Sequence, residues 1–168
     1  MSARARVAAS ALAIAISAVG AFEGRSLVAY LDPISIPTIC DGWTRDVKMG
    51  DRATNAECDA KTIQALEEAN FIFERWVPAD VRAGMGPSTV AAFLSFILNV
   101  GPGQPGVKDG FVWLRSGRHS TMLLHLRAGR VREACGQFQY WTSAGGRKLR
   151  GLEIRRGKEG EMCLRDET

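Results

Sequence analysis

Hydrophobic positions along the chain form one continuous block and two kinds of spacing, and each predicts a different element. The block comes first. Residues 7–22 carry no charge, follow Arg4 and Arg6, precede Glu23 and include seven alanines. This stretch reads as one helix, on which Ser10, Ser17 and Gly20 fall along a single stripe able to face water. Residues 27–44 then place Val28, Tyr30, Ile34, Ile36, Thr38 and Ile39 between Pro33, Pro37 and Gly42, the pattern of short strands and turns.

From there on the period is helical. Asn55 as N-cap, Glu57 as an early acid and Cys58, Ile63, Leu66, Ala69 and Phe73 predict a long helix ending before Pro78. Ser88 is expected to cap a second helix, whose residues 90–100 are apolar nearly all round, as befits a helix at the centre of a bundle, and Gly101 ends it. Residues 102–117 are rich in Gly and Pro but carry Phe111, Val112, Trp113 and Leu114, which predicts a structured loop or a short helix. Ser120 caps residues 121–126, residues 130–141 resume the helical pattern, and residues 149–164 form a last, basic helix. The architecture is α+β and mostly α.

Composition narrows the classes. A chain of 168 residues, 46% hydrophobic and 24% charged, is one globular domain's worth and excludes disordered and collagenous chains. The net charge of +4 favours an anionic partner, but no run of Lys and Arg forms a nucleic-acid arm. No phosphate loop, dinucleotide fingerprint or nucleophile elbow is present, so no cofactor is expected. Cys40, Cys58, Cys135 and Cys163 are even in number and follow the apolar block, as in an exported protein with disulfides. Three pairings are open; we lean to Cys135 with Cys163, both in helical stretches, leaving Cys40 with Cys58. Metal is the poorer use of these residues, since no Cys-x-x-Cys occurs and His119 and His125 lie six apart, off any single helix face.

Candidate chemistry lies just past the apolar block, where Glu23, Asp32 and Thr38 are spaced Glu-x8-Asp-x5-Thr. Two carboxylates across a cleft are what glycosidic hydrolysis needs, one to protonate the leaving oxygen and one to direct water or attack the sugar. Glu23, beside Phe22 at a helix end, suits the acid, and Asp32, before Pro33 in a turn, suits the ionised partner. Spacing alone leaves a second reading, and favours it: a helix-end charge and a turn-forming Asp-Pro.

The surrounding residues add a resemblance. Phe22-Glu23-Gly24, Ala29-Tyr30-Leu31-Asp32-Pro33 and Pro37-Thr38-Ile39-Cys40-Asp41-Gly42-Trp43-Thr44 resemble the phage-type lysozymes, the muramidase endolysins of glycoside hydrolase family 24. Ser95-Phe96-Ile97-Leu98-Asn99-Val100-Gly101-Pro102-Gly103, Ser120-Thr121-Met122-Leu123-Leu124, Trp141-Thr142-Ser143-Ala144-Gly145-Gly146, Gly151-Leu152 and Arg155-Arg156 follow in the same order, so the resemblance spans residues 21–164. It implies a lysozyme-like fold of two lobes, one small and β-containing and one helical, with a cleft between them. It further implies that Glu23 is the general acid, that Asp32 positions the nucleophilic water with help from Thr38, and that the substrate is the β-1,4 bond between N-acetylmuramic acid and N-acetylglucosamine. Asn99 matches a cleft-facing position; the alternative, weighed equally, is a helix C-terminal residue satisfying backbone carbonyls. Trp43 stands where relatives commonly have His, Pro37 adjoins Thr38, and the interval 104–119 is longer than in shorter relatives, its apolar cluster covering core or touching a partner.

The apolar block also has two readings. Val19-Gly20-Ala21 fits a signal-peptide cleavage site. Cleavage there would strip Glu23 of the helix that positions it, so the resemblance instead implies retention: a signal-anchor at residues 1–22 and a catalytic domain at residues 23–168, the arrangement of signal-arrest-release endolysins. A spanning helix wants about 20 strongly apolar residues, and this Ala-rich stretch is short, so it is expected to enter the inner membrane through residues 7–22 and later leave it when a holin collapses the membrane potential. No cysteine lies in residues 1–22, which argues against control by thiol exchange. The chain is then a monomer acting on peptidoglycan for host lysis, first on the periplasmic face of the membrane and then in the periplasm. The alternatives are a catalytically inactive peptidoglycan-binding module and a small holin-type permeabilising protein, the latter disfavoured by the length of chain after a single apolar segment.

Overall fold

A helix apolar on every face has to be enclosed, and the others close around it. The computed structural model describes residues 3–32 and 35–167, with backbone alone for residues 3–8 and 23. In chain order it contains α1 (Ala3–Glu23), β1 (Ser26–Leu31), β2 (Pro37–Cys40), α2 (Asn55–Trp76), α3 (Ala79–Ala83), α4 (Pro87–Val100), α5 (Thr121–Arg127), α6 (Val131–Cys135), a 3-10 turn (Phe138–Tyr140), β3 (Ser143–Ala144), β4 (Arg147–Lys148) and α7 (Arg150–Leu164). Every residue of α4 from Ser88 to Ile97 is buried. Helices α1, α2 and α7 pack against it. The aromatic core is continuous: Phe93 stacks on Phe73 at 5.8 Å and on Phe138 at 5.6 Å, and Phe138 meets Phe96 edge-on at 5.3 Å.

The apolar block is part of this core. Ala11, Ala15 and Val19 of α1, one helical turn apart, are buried with the residues of α4, whereas Ser10, Ser17 and Gly20 face outward. The stripe of small and polar residues is therefore the solvent face, and the Ser17 hydroxyl turns back to the Ala13 carbonyl at 3.1 Å. Among the described residues, no helix is long and apolar enough to cross a membrane.

Several boundaries differ from the sequence reading, each for a local reason. Thr54, not Asn55, caps α2; its hydroxyl accepts the Glu57 N–H while the Glu57 carboxylate accepts the Thr54 N–H, a reciprocal capping box. Within α2, Thr62 takes the buried place expected of Ile63, because its hydroxyl is needed by Asp41. Ser88 does not cap α4: the helix begins at Pro87 after Gly86, and the Asp166 carboxylate accepts the Ser88 and Thr89 N–H groups at 2.6 and 3.1 Å. The run 130–141 divides at Gly136 into α6 and the 3-10 turn: Gly136 and Gln137 keep right-handed helical dihedrals, but the Gln137 N–H bonds to the Ala134 carbonyl three residues back, a tightened turn that ends the α-helical ladder. Neither α3 nor the β3–β4 hairpin around Gly145 and Gly146, both with positive φ, was expected. Pro33 and Ile34 of the expected β zone lie outside the described residues.

Residues 102–117 form a loop, not a short helix, and they cover core. Phe111 and Val112 are fully buried, and Trp113 stacks on His119 at 4.1 Å and meets Trp76 edge-on at 5.7 Å. The loop closes by direct backbone contact: a Cβ on Gly103, where φ is +78°, would lie 2.1 Å from the Trp113 carbonyl oxygen.

The small lobe is the antiparallel pair β1–β2 with a satellite core of Ala29, Ile39, Cys40 and Cys58. Two disulfides form, Cys40–Cys58 and Cys135–Cys163, which is the favoured one of the three pairings. The first ties β2 to the opening turn of α2, and the second ties α6 to α7. Beside the first, buried Asp41 accepts two hydrogen bonds from Arg25 at 2.7 and 3.0 Å and one from Thr62 at 2.7 Å, and Arg25 also reaches Asp59 at 2.8 Å. Burial pushes the Asp41 carboxyl up, but the bonds from Arg25 and Thr62 and the guanidinium charge outweigh it and hold the group below the usual carboxylate range.

The depressed native value fixes the sign of a pH dependence. The pair's contribution is complete above about pH 4 and drains away as the pH falls through the native value. Arg25→Gln is expected to cost about 2–3 kcal/mol near neutrality and progressively less in acid, which denaturant unfolding at a series of pH values measures. In the loop, Gly103→Ala is expected to cost about 2–4 kcal/mol, against about 1 kcal/mol for Gly106→Ala, where φ is also positive but a Cβ meets open space; thermal melts of the two variants give the difference.

Candidate functional site

The backbone brings the three predicted residues into one short span. Helix α1 ends at Glu23, Gly24 turns the chain with φ at +68°, and β1 begins two residues later. The Glu23 side chain lies outside the described residues. Asp32 follows the last residue of β1 at the mouth of the turn into β2. Its carboxylate accepts the Ile36 N–H at 2.8 Å, its own N–H donates to the Ile36 carbonyl at 3.0 Å, and its carbonyl accepts the Ser35 N–H at 2.9 Å. An aspartate side chain that closes its own turn in this way has one orientation imposed by the backbone.

Thr38 grips Ile36 from the other side. It pairs with Tyr30 across the strands, is 3% exposed, and donates its hydroxyl to the Ile36 carbonyl at 2.9 Å. Ile36 thus fixes both side chains, its N–H holding Asp32 and its carbonyl holding Thr38. Pro37 opens β2 opposite Leu31, a strand-start position at which a missing N–H is tolerated, and the Tyr30–Thr38 register is kept beside it.

Asn99 lies exposed in the last turn of α4. Its side-chain oxygen accepts a hydrogen bond from Arg156 and does not serve the helix end, which Gly101 closes by donating to the Ile97 carbonyl. Arg156 also donates to the Trp141 carbonyl at 3.1 Å and pairs with Glu159, and its guanidinium lies 4.7 Å from the Phe96 ring centre. Glu159 has no exposed surface, and its other oxygen takes Arg155 at 3.0 Å and the Ser95 hydroxyl at 2.7 Å. Sequence reasoning picked out Ser95, Arg155 and Arg156 only as parts of shared motifs and missed Glu159. The available signals were a lone serine inside an apolar helix and an acid three and four residues after two arginines.

Between the lobes runs an open groove of about 360 Å³, with Trp43 and Thr44 on the β side, Glu68 and Ile72 of α2 along the floor, and Leu98 and Pro102 at the end of α4. Trp43, the departure noted in the sequence, bonds its indole N–H to the Arg45 carbonyl at 2.9 Å, and its ring receives Arg45 at 4.0 Å and Lys61 at 4.9 Å. Among the described residues, no three His, Cys, Asp or Glu side chains gather as metal ligands do.

The groove is lined by none of Asp32, Thr38 and Asn99, while the mostly helical fold with its small antiparallel sheet agrees with what known proteins show. The phage lysozyme family model matches residues 20–159. The SAR-endolysin of Enterobacteria phage PA-2 is 32% identical over 143 residues, covering 84% of this chain and 77% of its own. That of Pseudomonas phage phiKMV is 33% identical over 159 residues, covering 92% and 89%. Among solved structures, the active form of the P1 phage endolysin Lyz superposes with a TM-score of 0.77 at 20% identity, covering all of this chain and 97% of its own. The chain therefore belongs to the phage lysozyme family, a glycoside hydrolase with the lysozyme-like fold and the lytic function of an endolysin.

Proposed function

We propose that this hydrolase cuts the β-1,4 bond between N-acetylmuramic acid and N-acetylglucosamine in peptidoglycan, with Glu23 as general acid and Asp32 as the carboxylate that directs water. The observation that carries this reading is the continuity of the chain: the helix that ends in Glu23 leads through one glycine turn into the hairpin that fixes Asp32 and Thr38. The acid protonates the leaving glycosidic oxygen while Asp32 takes up the proton of the attacking water. Thr38, its hydroxyl proton committed to Ile36, presents its oxygen as an acceptor that helps to hold that water. Asn99, oriented by Arg156, contacts the sugar from the helical side.

The same reading makes residues 1–22 a retained signal-anchor. It exports the chain, holds it at the inner membrane through residues 7–22, and releases a monomer into the periplasm when the potential collapses. Supporting retention, Ala11, Ala15 and Val19 fill the core beside α4, so cleavage after Ala21 would leave that face of α4 open to water. Export to an oxidising compartment fits the two disulfides. The net charge of +4 suits an anionic wall.

Two measurements test this. Glu23→Gln and Asp32→Asn are each expected to slow the clearing of a bacterial cell suspension by at least about 100-fold without changing the circular dichroism spectrum; undiminished clearing by Glu23→Gln would overturn the assignment of the acid, and a wild-type chain that binds cell walls without clearing cells would be the inactive binding module. Mass analysis of the exported protein is expected to find residues 1–22 present both before and after depolarisation, in the membrane fraction before and the soluble fraction after. A mature chain beginning at Phe22 would overturn retention.

A further inference from the structure

The geometry points to Phe22 as a positioning residue: its ring, seated against two cations of α7, sets the rotation of the last turn of α1 and hence the direction of Glu23. This rests on the reading of Glu23 as the acid. The fully buried stripe of α1 consists of Ala11, Ala15 and Val19, with Leu12, Ile14 and Ile16 packed half-buried beside it, and none of these lies in the turn that presents Glu23. Orientation matters here, because each residue along a helix turns by about 100° and rises about 1.5 Å, so a small error in docking aims the acid elsewhere. Phe22 continues that stripe into the last turn and is the large side chain next to Glu23. It is half-buried, with the Arg155 guanidinium 5.4 Å and the Lys158 ammonium 5.7 Å from the ring centre.

Arg155 is no loose surface cation. It is 6% exposed, donates to fully buried Glu159 at 3.0 Å and reaches the Ser95 carbonyl at 3.4 Å, so it is fixed to both α7 and α4. The ring therefore reads the position of a carboxylate in the protein interior and transmits it to the next residue, Glu23. The same carboxylate holds Arg156, which orients Asn99, so one buried group references both sides of the reacting bond.

The test compares Phe22→Leu, which keeps apolar bulk but removes the aromatic face, with Phe22→Trp, which restores it, and with Lys158→Gln, which removes one cation from an exposed site. Steady-state kinetics on purified peptidoglycan, pH profiles of kcat and thermal melts are recorded for each, beside Glu23→Gln. The expected result for Phe22→Leu is a kcat lower by about tenfold or more, the scale on which a misplaced catalytic group acts, with KM within about twofold and a displaced limb of the kcat profile. Phe22→Trp recovers most of the rate, and Lys158→Gln loses about threefold. A lowered melting temperature with wild-type kcat and profile in Phe22→Leu would overturn the proposal, as would equal losses in Phe22→Leu and Phe22→Trp. If Glu23→Gln is inactive while Phe22→Leu is not impaired, the positioning role alone fails; if Glu23→Gln remains active, the assignment of the acid fails first.

Discussion

The Glu159 carboxylate, with no exposed surface, is the constraint around which the helical lobe is arranged. Removing an ion from water costs several kcal/mol even after the protein relaxes, and the cost is met only when every oxygen has a good partner. Here Arg155, Arg156 and the Ser95 hydroxyl supply them. An apolar group of the same shape would serve stability as well, so what the ionic arrangement adds is direction. A carboxylate accepts along defined lines, and each guanidinium it fixes then reaches one more element: Arg156 reaches Asn99 and the Trp141 carbonyl, and Arg155 reaches the Phe22 ring. Four parts of the helical lobe are thereby aligned on one point.

The small lobe repeats the device on its own scale. Asp41 is buried and held by Arg25 and Thr62, and the Cys40–Cys58 bond crosses the same junction between β2 and α2. A lobe with only four buried residues in its satellite core gains little from apolar burial, so covalent and ionic fastening take over. Asp32 and Thr38 then need only local control, which the one residue Ile36 supplies through its N–H and its carbonyl, on two successive peptide groups. The proposed catalytic residues Asp32 and Thr38 thus sit on a short, backbone-fixed span between anchored elements, and such preorganisation is what catalysis asks of a site.

The sequence showed those parts of the molecule whose signal is local. The apolar block, the stripe of Cys58, Leu66, Ala69 and Phe73 and the all-round apolar run of α4 each became helices, since hydrophobic period and burial are the same fact seen twice. The Glu23, Asp32 and Thr38 spacing was legible only as a pattern with two readings until neighbouring motifs were added. What stayed hidden depended on pairs distant in sequence. Ser95 and Glu159 meet across 64 residues, and Thr62 meets Asp41 across 21, so neither partner announces the other. Ile63 and Thr62 changed places because a hydrogen bond to a buried carboxylate outweighs the transfer of one aliphatic side chain. The break at Gly136 was invisible because burial on both sides of it kept a helical period.

As the proposed signal-anchor, helix α1 answers two demands that pull against each other. Hydrophobic stabilisation follows the apolar area removed from water, roughly 25 cal/mol per Å², and an alanine removes far less than a leucine or phenylalanine. Docking through Ala11 and Ala15, with Val19 and the half-buried Leu12, Ile14 and Ile16 beside them, therefore yields less than a stripe of leucines would, which suits the proposed signal-anchor, a segment that has also to exist away from α4. The same small side chains let α1 lie close along α4, so the core is closed without deep interlocking. The orientation of α1 is fixed further at its end, where Gly24 stops the helix and Phe22 meets Arg155 and Lys158. In the proposed anchor, the small residues of the buried stripe ease separation from α4, and the aromatic ring at the tip defines where the helix ends.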